Sequence, residues 1–589
     1  MNRPISFYQN QSQSHQKVVA TLNTQIRTLS MARLQVFLAS AYGVYATFKE
    51  WQIALIIGGV GLAVFLFLLV KYSNIKYKRN IEKALVAINN EEINIIKNGF
   101  LHRPDGVEFQ DPKHAYSLDI DVFGRGSLFQ SINRTYIAGG TQKLAEILKA
   151  NTVEGIKKRQ DAITELADKA TWRQYYSALS SVVQVEVPAK TINSWLKGYT
   201  PKLPSYFNII PWLFGGVSLV LLVCVYFSVL SANILGLWLL VGLLFTGVYL
   251  KTINVLSSQT EKLKNTFKQY AGLLEQIEQE KFTSSLLIEQ QKQIAHDTEK
   301  ASQIFKELSG LLDRLDNRNN LISAIFGNGL FLLDIKHAYA IEQWIKKHGS
   351  KTTDWLEVIA FFDAYNALAN YSFNHPQFTY PKLTKEVAVI EASQLGHPLL
   401  HSEKRIDNDF KIDRSQFFII TGANMAGKST FLRTVSLYIV MANVGLPVCA
   451  QSSAYNPIKL ITSMRTSDSL TDDSSYFFSE LTRLKYIVDT VQTDAYFIVL
   501  DEILKGTNST DKAIGSKQFV EKLVGLQATG IIATHDLSLC EIATELTQIR
   551  NHYFDAEIIN NELHFDYTFK TGVCQNMNAS FLLKKMEII

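Results

Sequence analysis

The sequence predicts a multidomain chain: two apolar helical hairpins, all-α regions between and after them, and an α/β domain at the C-terminus. Three observations lead there. The 589 residues are too many for one hydrophobic core. Long uncharged apolar stretches occur in two pairs. Beyond residue 376, apolar strands alternate with a glycine-bearing loop and helical periodicity.

The formal net charge of +5 permits contact with nucleic acid or anionic lipid without requiring either. Cys224, Cys449, Cys540 and Cys574 are widely spaced and lack the C-x-x-C pattern of a zinc site, so they read as reduced thiols. Residues 1–33 are polar and rich in Gln, Ser and Asn, unlike a secretory signal, and no export is expected.

Residues 34–70 form the first hairpin. Ile53 to Val70 carries no charge and reaches the about 18-residue threshold for a spanning helix. Leu34 to Phe48 is also uncharged, and Lys49, Glu50 and Trp51 form the link. The second hairpin, residues 207–250, pairs Phe207–Leu230 with Ala232–Leu250. Arg27, Arg33, Lys71, Arg79, Lys197, Lys202 and Lys251 flank the two pairs. The positive-inside rule therefore places the soluble parts in the cytoplasm, with the lipid bilayer as a partner. A Gly59-Val60-Gly61 step lacks the strand and third glycine of a dinucleotide fingerprint and reads as helix packing.

Residues 71–206 read as a small helical domain, with periodicity at Leu144, Ile147 and Leu148 and again at Ile156, Ile163 and Leu166. Residues 251–375 are rich in Glu, Gln, Lys and Leu and predict long helices acting as levers. The lysines there (Lys262, Lys264, Lys268, Lys281) are interleaved with acidic residues and read as a solvated face.

Residues 376–589 hold the chemistry. Gly422, Ala423, Asn424, Met425, Ala426, Gly427, Lys428 and Ser429, with Thr430 opening the next helix, match G-x-x-x-x-G-K-[ST] after the apolar run Phe417–Ile420. Glycines there let backbone N–H groups face phosphates, the helix N-terminus adds positive potential, Lys428 reaches the outer phosphates and Ser429 holds Mg2+. A second apolar run, Tyr496 to Leu500, ends in Asp501 and Glu502, and a third ends in Thr534, His535 and Asp536. Asp501 supports the metal, Glu502 activates the attacking water, and His535 fits a histidine that senses the γ-phosphate. The predicted domain is thus an α/β P-loop ATPase of the ABC type, with ATP and Mg2+ as cofactors.

Family-specific residues surround these motifs. Residues 503–511 resemble the segment after the carboxylates in MutS proteins, with Leu504 and Lys505 replacing Gly and Arg and Asn508 as an extra polar residue. Ser509 and Asp511 fall on its D-loop. Leu470–Glu480 is similar to the MutS signature segment, Ser475 falling on the serine given to the partner's nucleotide, with Asp473 and Tyr476 departing from the usual residues. Leu395-Gly396-His397-Pro398 with Asn408-Asp409, and Phe565–Gly572 with Asn578-Ala579-Ser580, resemble the segments that open and close the family's ATPase fold. Ser127, Leu128, Phe129, Asn133, Arg134, Thr135, Gly140, Arg159 and Gln160 resemble the MutS core domain.

The resemblance implies a homodimer through the ATPase heads, with DNA as partner and mismatch repair as the family's role. Mismatch readers insert a Phe-x-Glu wedge from a separate N-terminal domain, whereas here Phe48-Lys49-Glu50 lies at a hairpin turn and Phe305-Lys306-Glu307 in a helical stretch. The reading is a membrane-anchored MutS-like ATPase that does not read mismatches with such a wedge. A nucleotide-regulated membrane scaffold without DNA binding stays open, as does a transporter, which the absence of LSGGQ and of charges in the apolar helices disfavours.

Overall fold

The computed structural model describes residues 2–182, 187–261, 263–295, 299–465, 476–559 and 562–575. Ser475, Asp473, Lys262 and the Asn578–Ser580 run lie outside them.

Two very long helices open the chain, α1 (Asn2–Ala46) and α2 (Trp51–Asn98), antiparallel and joined by a turn at residues 47–50. The helix runs straight through residue 33, so the polar segment and the apolar stretch after it are one element. Their polar halves dock on the protein: Tyr8 is buried and bonds Asn370 and Asn374, Ser12 bonds Asn90, and His15 bonds Glu82. The apolar halves project outward, with Leu55, Ile56, Leu62 and Phe67 exposed.

Then come α3 (Leu128–Ile132), α4 (Ala138–Lys149), α5 (Ile156–Asp168), α6 (Ala170–Val182) and α7 (Ala189–Gly198). The second hairpin is α8 (Ile210–Tyr226) and α9 (Ala232–Thr260), so its first helix ends sooner, and its second runs on further, than the apolar runs suggest. Among the described residues two helices are long and apolar enough to cross a membrane, α2 and α9, and in their apolar windows only 6% and 11% of residues are buried. A core helix of a soluble protein would be mostly buried. α8 is apolar but shorter, and the stretch Leu34–Phe48 in α1 does not meet the same measure.

The expected lever region is α10 (Leu263–Gln279), α11 (Ser285–Ile294), α12 (Ala301–Asp316), the short α13 (Asn328–Phe331) and a 42-residue helix, α14 (Leu333–Asn374). α4, α5, α7, α11 and α12 pack around α14 and bury Ile341, Trp355, Ile359, Phe362 and Leu368, leaving a polar stripe of Gln343, Lys346, Lys347, Ser350, Asp354 and Glu357 exposed, while residues 361–370 are wholly buried. Several buried polar side chains on it have defined partners, although buried Asn366 has none among the described residues. Glu342 accepts from Tyr199 Oη and from the N–H groups of Lys202 and Leu203. Asp363 accepts from the N–H groups of Tyr136 and Ile137, at the start of α4 beside Gly140. Near its end Asn374 donates to Glu92 of α2, which also binds Arg134 at 2.6 Å. Phe305 is fully buried against Phe267 and Trp344, so Phe305-Lys306-Glu307 has no protruding aromatic.

The C-terminal domain has two main sheets and a two-stranded one among the described residues. A four-stranded sheet runs in the order β1 (Lys382–Leu383), β5 (Ser452–Tyr455), β2 (Ala388–Leu395), β3 (Asn408–Asp413). A six-stranded sheet runs in the order β12 (Lys570–Thr571), β9 (Ile549–Phe554), β4 (Phe417–Gly422), β8 (Thr529–Ala533), β7 (Tyr496–Asp501), β6 (Lys459–Ser463), all parallel except edge strand β12. Its main helices are α15 (Lys428–Val444), α16 (Tyr476–Val491) and α17 (Ser509–Gly525). β10 (Glu557–Ile559) and β11 (Glu562–His564) form a small hairpin. One buried apolar cluster runs without a break from Ile81 through α14 into one face of this domain, and a second lies on the other face.

Arg134→Ala leaves Glu92 charged and buried, and should destabilise the fold by about 3–5 kcal/mol, read as a lowered unfolding midpoint in detergent. Burial pushes the Asp363 carboxyl up to about 7, against its two backbone hydrogen bonds. Its folded-state value lies above the unfolded one, so its stabilising contribution is complete below about pH 4 and fades as pH rises through about 7. The unfolding midpoint of Asp363→Asn should therefore change less than that of the wild type between pH 5 and 8.

A candidate phosphate-loop site

β4 is wholly buried, with Phe417–Ile420 registered against Gly530–Ala533 of β8 and Ile549–His552 of β9. The loop it delivers, residues 423–427, turns into α15 through Gly427 at φ +101°, where a side chain would be strained. Ser429 and Thr430 stand exposed in the first turn, and Asn424 and Met425 are exposed on the loop. Asp501 ends β7, Glu502 follows it, and His535 follows β8. All these groups lie beyond the carboxyl ends of parallel strands, where open α/β sheets place their ligand crevice.

The side chains converge. Lys428 is buried, and its ammonium donates to the carbonyls of Gly422 at 2.7 Å and Ala423 at 3.0 Å. Burial lowers its pKa, while Glu502 and Asp501 work the other way. His535 Nε2 lies 2.9 Å from Glu502 Oε1 and 3.3 Å from Lys428 Nζ. A carboxylate only accepts, so Nε2 carries the hydrogen and donates to Glu502. That hydrogen bond, aided by Lys505 and Lys512 and opposed by partial burial, holds the Glu502 carboxyl down to about 2. Glu502 and Leu504 both sit at positive φ, and the turn containing them is pinned by buried Glu480, which accepts from the N–H groups of Leu504 at 2.6 Å and Lys505 at 3.1 Å.

Lys428, Asp501, Glu502 and His535 line a cavity of about 480 Å³, within the size range of small-molecule sites. Its other walls are Leu395, His397, Leu400, Ile406, Phe431 and Tyr567. Asn408 clamps the C-terminal segment there, donating to Tyr567 O and accepting from Phe569 N. Burial, with Arg433 and Arg405 nearby, lowers His397 to about 4 and keeps it neutral. The donor set fits a nucleotide with Mg2+: loop N–H groups and Lys428 for phosphates, Ser429 and Asp501 for the metal, an apolar and aromatic wall for a base.

The cavity gathers Ala423 to Thr430, Asp501, Glu502 and His535, with Gly422 directly before them. It does not include Ser509 or Asp511, which stand exposed at the start of α17, where Asn508 caps Asp511 N. Sequence reading missed the roles of Glu480, Tyr567 and Arg405. Only Asn408, in the Asn-Asp pair, hinted at Tyr567.

Other resemblance residues join the helical region to this domain. The Arg159 guanidinium donates twice to the Asn443 carbonyl in the last turn of α15, and Gln160 donates to Pro381 O. Asp119 accepts from Thr462 Oγ1 and from the N–H groups of Met464 and Arg465, and Arg483 reaches the carbonyls of Ala115 and Thr462.

A parallel sheet with a glycine loop feeding a buried lysine, two carboxylates and a histidine defines an α/β protein of the P-loop class. A family profile for MutS domain V matches residues 418–585. Over that stretch the chain is similar to the MutS family. It is 32% identical over 249 residues to human MutS protein homolog 4, 41% of this chain and 25% of that one. It is 29% identical over 230 residues to the DNA mismatch repair protein MutS of Methanococcoides burtonii (38% and 26%), and 30% over 212 residues to that of Thermotoga maritima (35% and 26%). The chain thus spans only about a quarter of the length of these relatives.

Glu480→Ala removes a charged acceptor from two N–H groups and should cost about 1.5–3 kcal/mol, seen as a lower unfolding midpoint.

Proposed function

We propose that this chain is a membrane-anchored, MutS-like ATPase that binds and hydrolyses ATP as a homodimer to drive conformational change, and that it handles DNA without a Phe-x-Glu wedge. The observation that carries the reading is the convergence of Lys428, Asp501, Glu502 and His535 at the mouth of one phosphate loop.

In this reading the loop N–H groups of residues 423–428 and the N-terminus of α15 hold the β- and γ-phosphates. Lys428 exchanges its two carbonyl partners for phosphate oxygens. Ser429 and Asp501 hold Mg2+, which when bound neutralises the charge developing on those oxygens. Glu502, kept ionised, orients and accepts a proton from the attacking water, and His535, already within hydrogen-bond reach of it, turns toward the γ-phosphate. Ser475, Ser509 and Asp511 serve the partner's site.

Anchoring is supported by the apolar faces of α2 and α9, which project unburied from the protein. Lys71, Lys76, Lys78 and Arg79 follow the apolar run of α2 and favour cytoplasmic soluble domains. DNA is proposed from the relatives, two of which are named DNA mismatch repair proteins. The second reading, a nucleotide-regulated membrane scaffold, is favoured by the burial of Phe305 and by Phe48 standing on the turn of the first hairpin, between apolar helix ends.

Lys428→Ala should abolish nucleotide binding, while Glu502→Gln should keep binding and slow turnover by about 10²–10⁴, by titration and phosphate release. Rapid hydrolysis by Glu502→Gln would remove Glu502 from its role. Detergent-solubilised Glu502→Gln protein should bind duplex DNA in a nucleotide- and salt-dependent manner. No binding at low salt in either nucleotide state would decide for the scaffold.

A further inference from the structure

Between Arg318 and Asp334 the chain reads NNLISAIFGNGLFLL, without a charge. Sequence reading left this run inside the soluble lever region. In the structure it leaves α12, makes a π-helical turn at Ser323–Gly327, continues as α13, breaks at Leu332 with φ +52°, and starts α14.

The run is lodged in the crook between α8 and α9. A side chain at Gly242 of α9 would meet the Gly329 carbonyl at 2.3 Å, so the two backbones touch, and Phe331 packs on Gly215 of α8. The break in the helix is satisfied by its surroundings. Ser218 of α8 donates to the Leu330 carbonyl at 2.6 Å, Trp238 of α9 donates to Ser218 Oγ at 2.8 Å, and Asn328 Oδ1 accepts from Asp334 N. Irregular backbone survives at membrane depth only where protein groups complete its hydrogen bonds in this way. On the other side Leu321, Ile322 and Phe326 are 74%, 70% and 53% exposed.

The depth of the run follows from polar and aromatic markers. At the base of the hairpin Tyr206 and Tyr249 share a hydroxyl hydrogen bond, and Lys336 Nζ lies 3.5 Å from the centre of the Trp212 ring. Such groups belong at a headgroup boundary. Gly242 is seven residues further along α9 from Tyr249, about 10 Å deeper at 1.5 Å per residue.

We propose that residues 321–332 form a re-entrant wedge in the hydrocarbon of the bilayer, with lipid acyl chains covering Leu321, Ile322 and Phe326, so that α14 starts at the membrane surface. The proposal rests on the membrane reading of α9 and adds a third inserted element to the second hairpin. The commitment to lipid comes from its contact with α9, itself long and apolar enough to span, and from its depth beyond the aromatic markers.

The test uses full-length protein carrying Cys224→Ser, the other three cysteines being buried. Single nitroxide labels on Phe326→Cys, Ile322→Cys and, as reference, Leu237→Cys on α9 are compared in phosphatidylcholine vesicles. Collision with oxygen and with a water-soluble nickel chelate gives depth. Labels at 326 and 322 should match 237, with oxygen access several-fold above a label on exposed Lys157→Cys and little nickel access. Water-like labels at 326 and 322 beside a hydrocarbon-like 237 would overturn the wedge and leave the anchor standing. Water-like labels at all three would overturn both. Labels at 326 and 322 shielded from both reagents would show a protein cover instead and also overturn the wedge.

Discussion

Everything in this fold leans on the burial of α14. An exposed stripe from Gln343 to Glu357 orients the earlier part of the helix, but from Phe361 to Asn370 every residue is buried and no solvent face exists there to choose the register. The choice falls to its buried polar groups. Glu342 fixes the chain that enters α8, Asp363 fixes the start of α4, and Asn370 and Asn374 fix the docked ends of α1 and α2 through Tyr8 and Glu92. Each is costly to leave unpaired, so a slip of one turn would leave several unpaired at once. The apolar contacts supply the bulk of the stability and the polar ones supply uniqueness.

The same logic joins the helical region to the sheet domain. α15 presents its N-terminus to the phosphate loop, while the carbonyl of Asn443 in its last turn accepts both hydrogen bonds from Arg159. A cation at that end suits the helix dipole as well as the carbonyl. Asp119 and Arg483 make a second seam of the same kind, charged side chains meeting backbone groups. Shifts of the phosphate loop along α15 therefore have a direct mechanical route to α5, and through α5 to α14.

Legibility in the sequence tracked how local each signal was. The loop from Gly422 to Ser429, the carboxylates and His535 could be read because strand, turn and helix lie within a few residues of one another. The turn of the first hairpin was legible from Lys49 and Glu50 interrupting apolar residues. What escaped were relationships set by packing between distant segments. Glu480 holds a turn more than twenty residues away, and Tyr567 reaches the cavity wall through Asn408, 159 residues distant. The continuity of α1 through residue 33 was hidden because polar composition there marks a docking surface rather than a separate tail. The uncharged run before Asp334 was too short to read as a span and gave no hint that α8 and α9 would receive it. Ser475, singled out on resemblance alone, falls outside the described residues.

The unbroken length of α14 has a geometric consequence. Forty-two residues make a rod about 60 Å long at 1.5 Å per residue. A tilt of 5° about the end beside the sheet domain would carry the other end sideways by about 5 Å, roughly one helical pitch. A change too small to disturb the strands could thus be read out as a full step at the base of α8 and α9. The stiffness that burial gives this helix makes it an amplifier of angle.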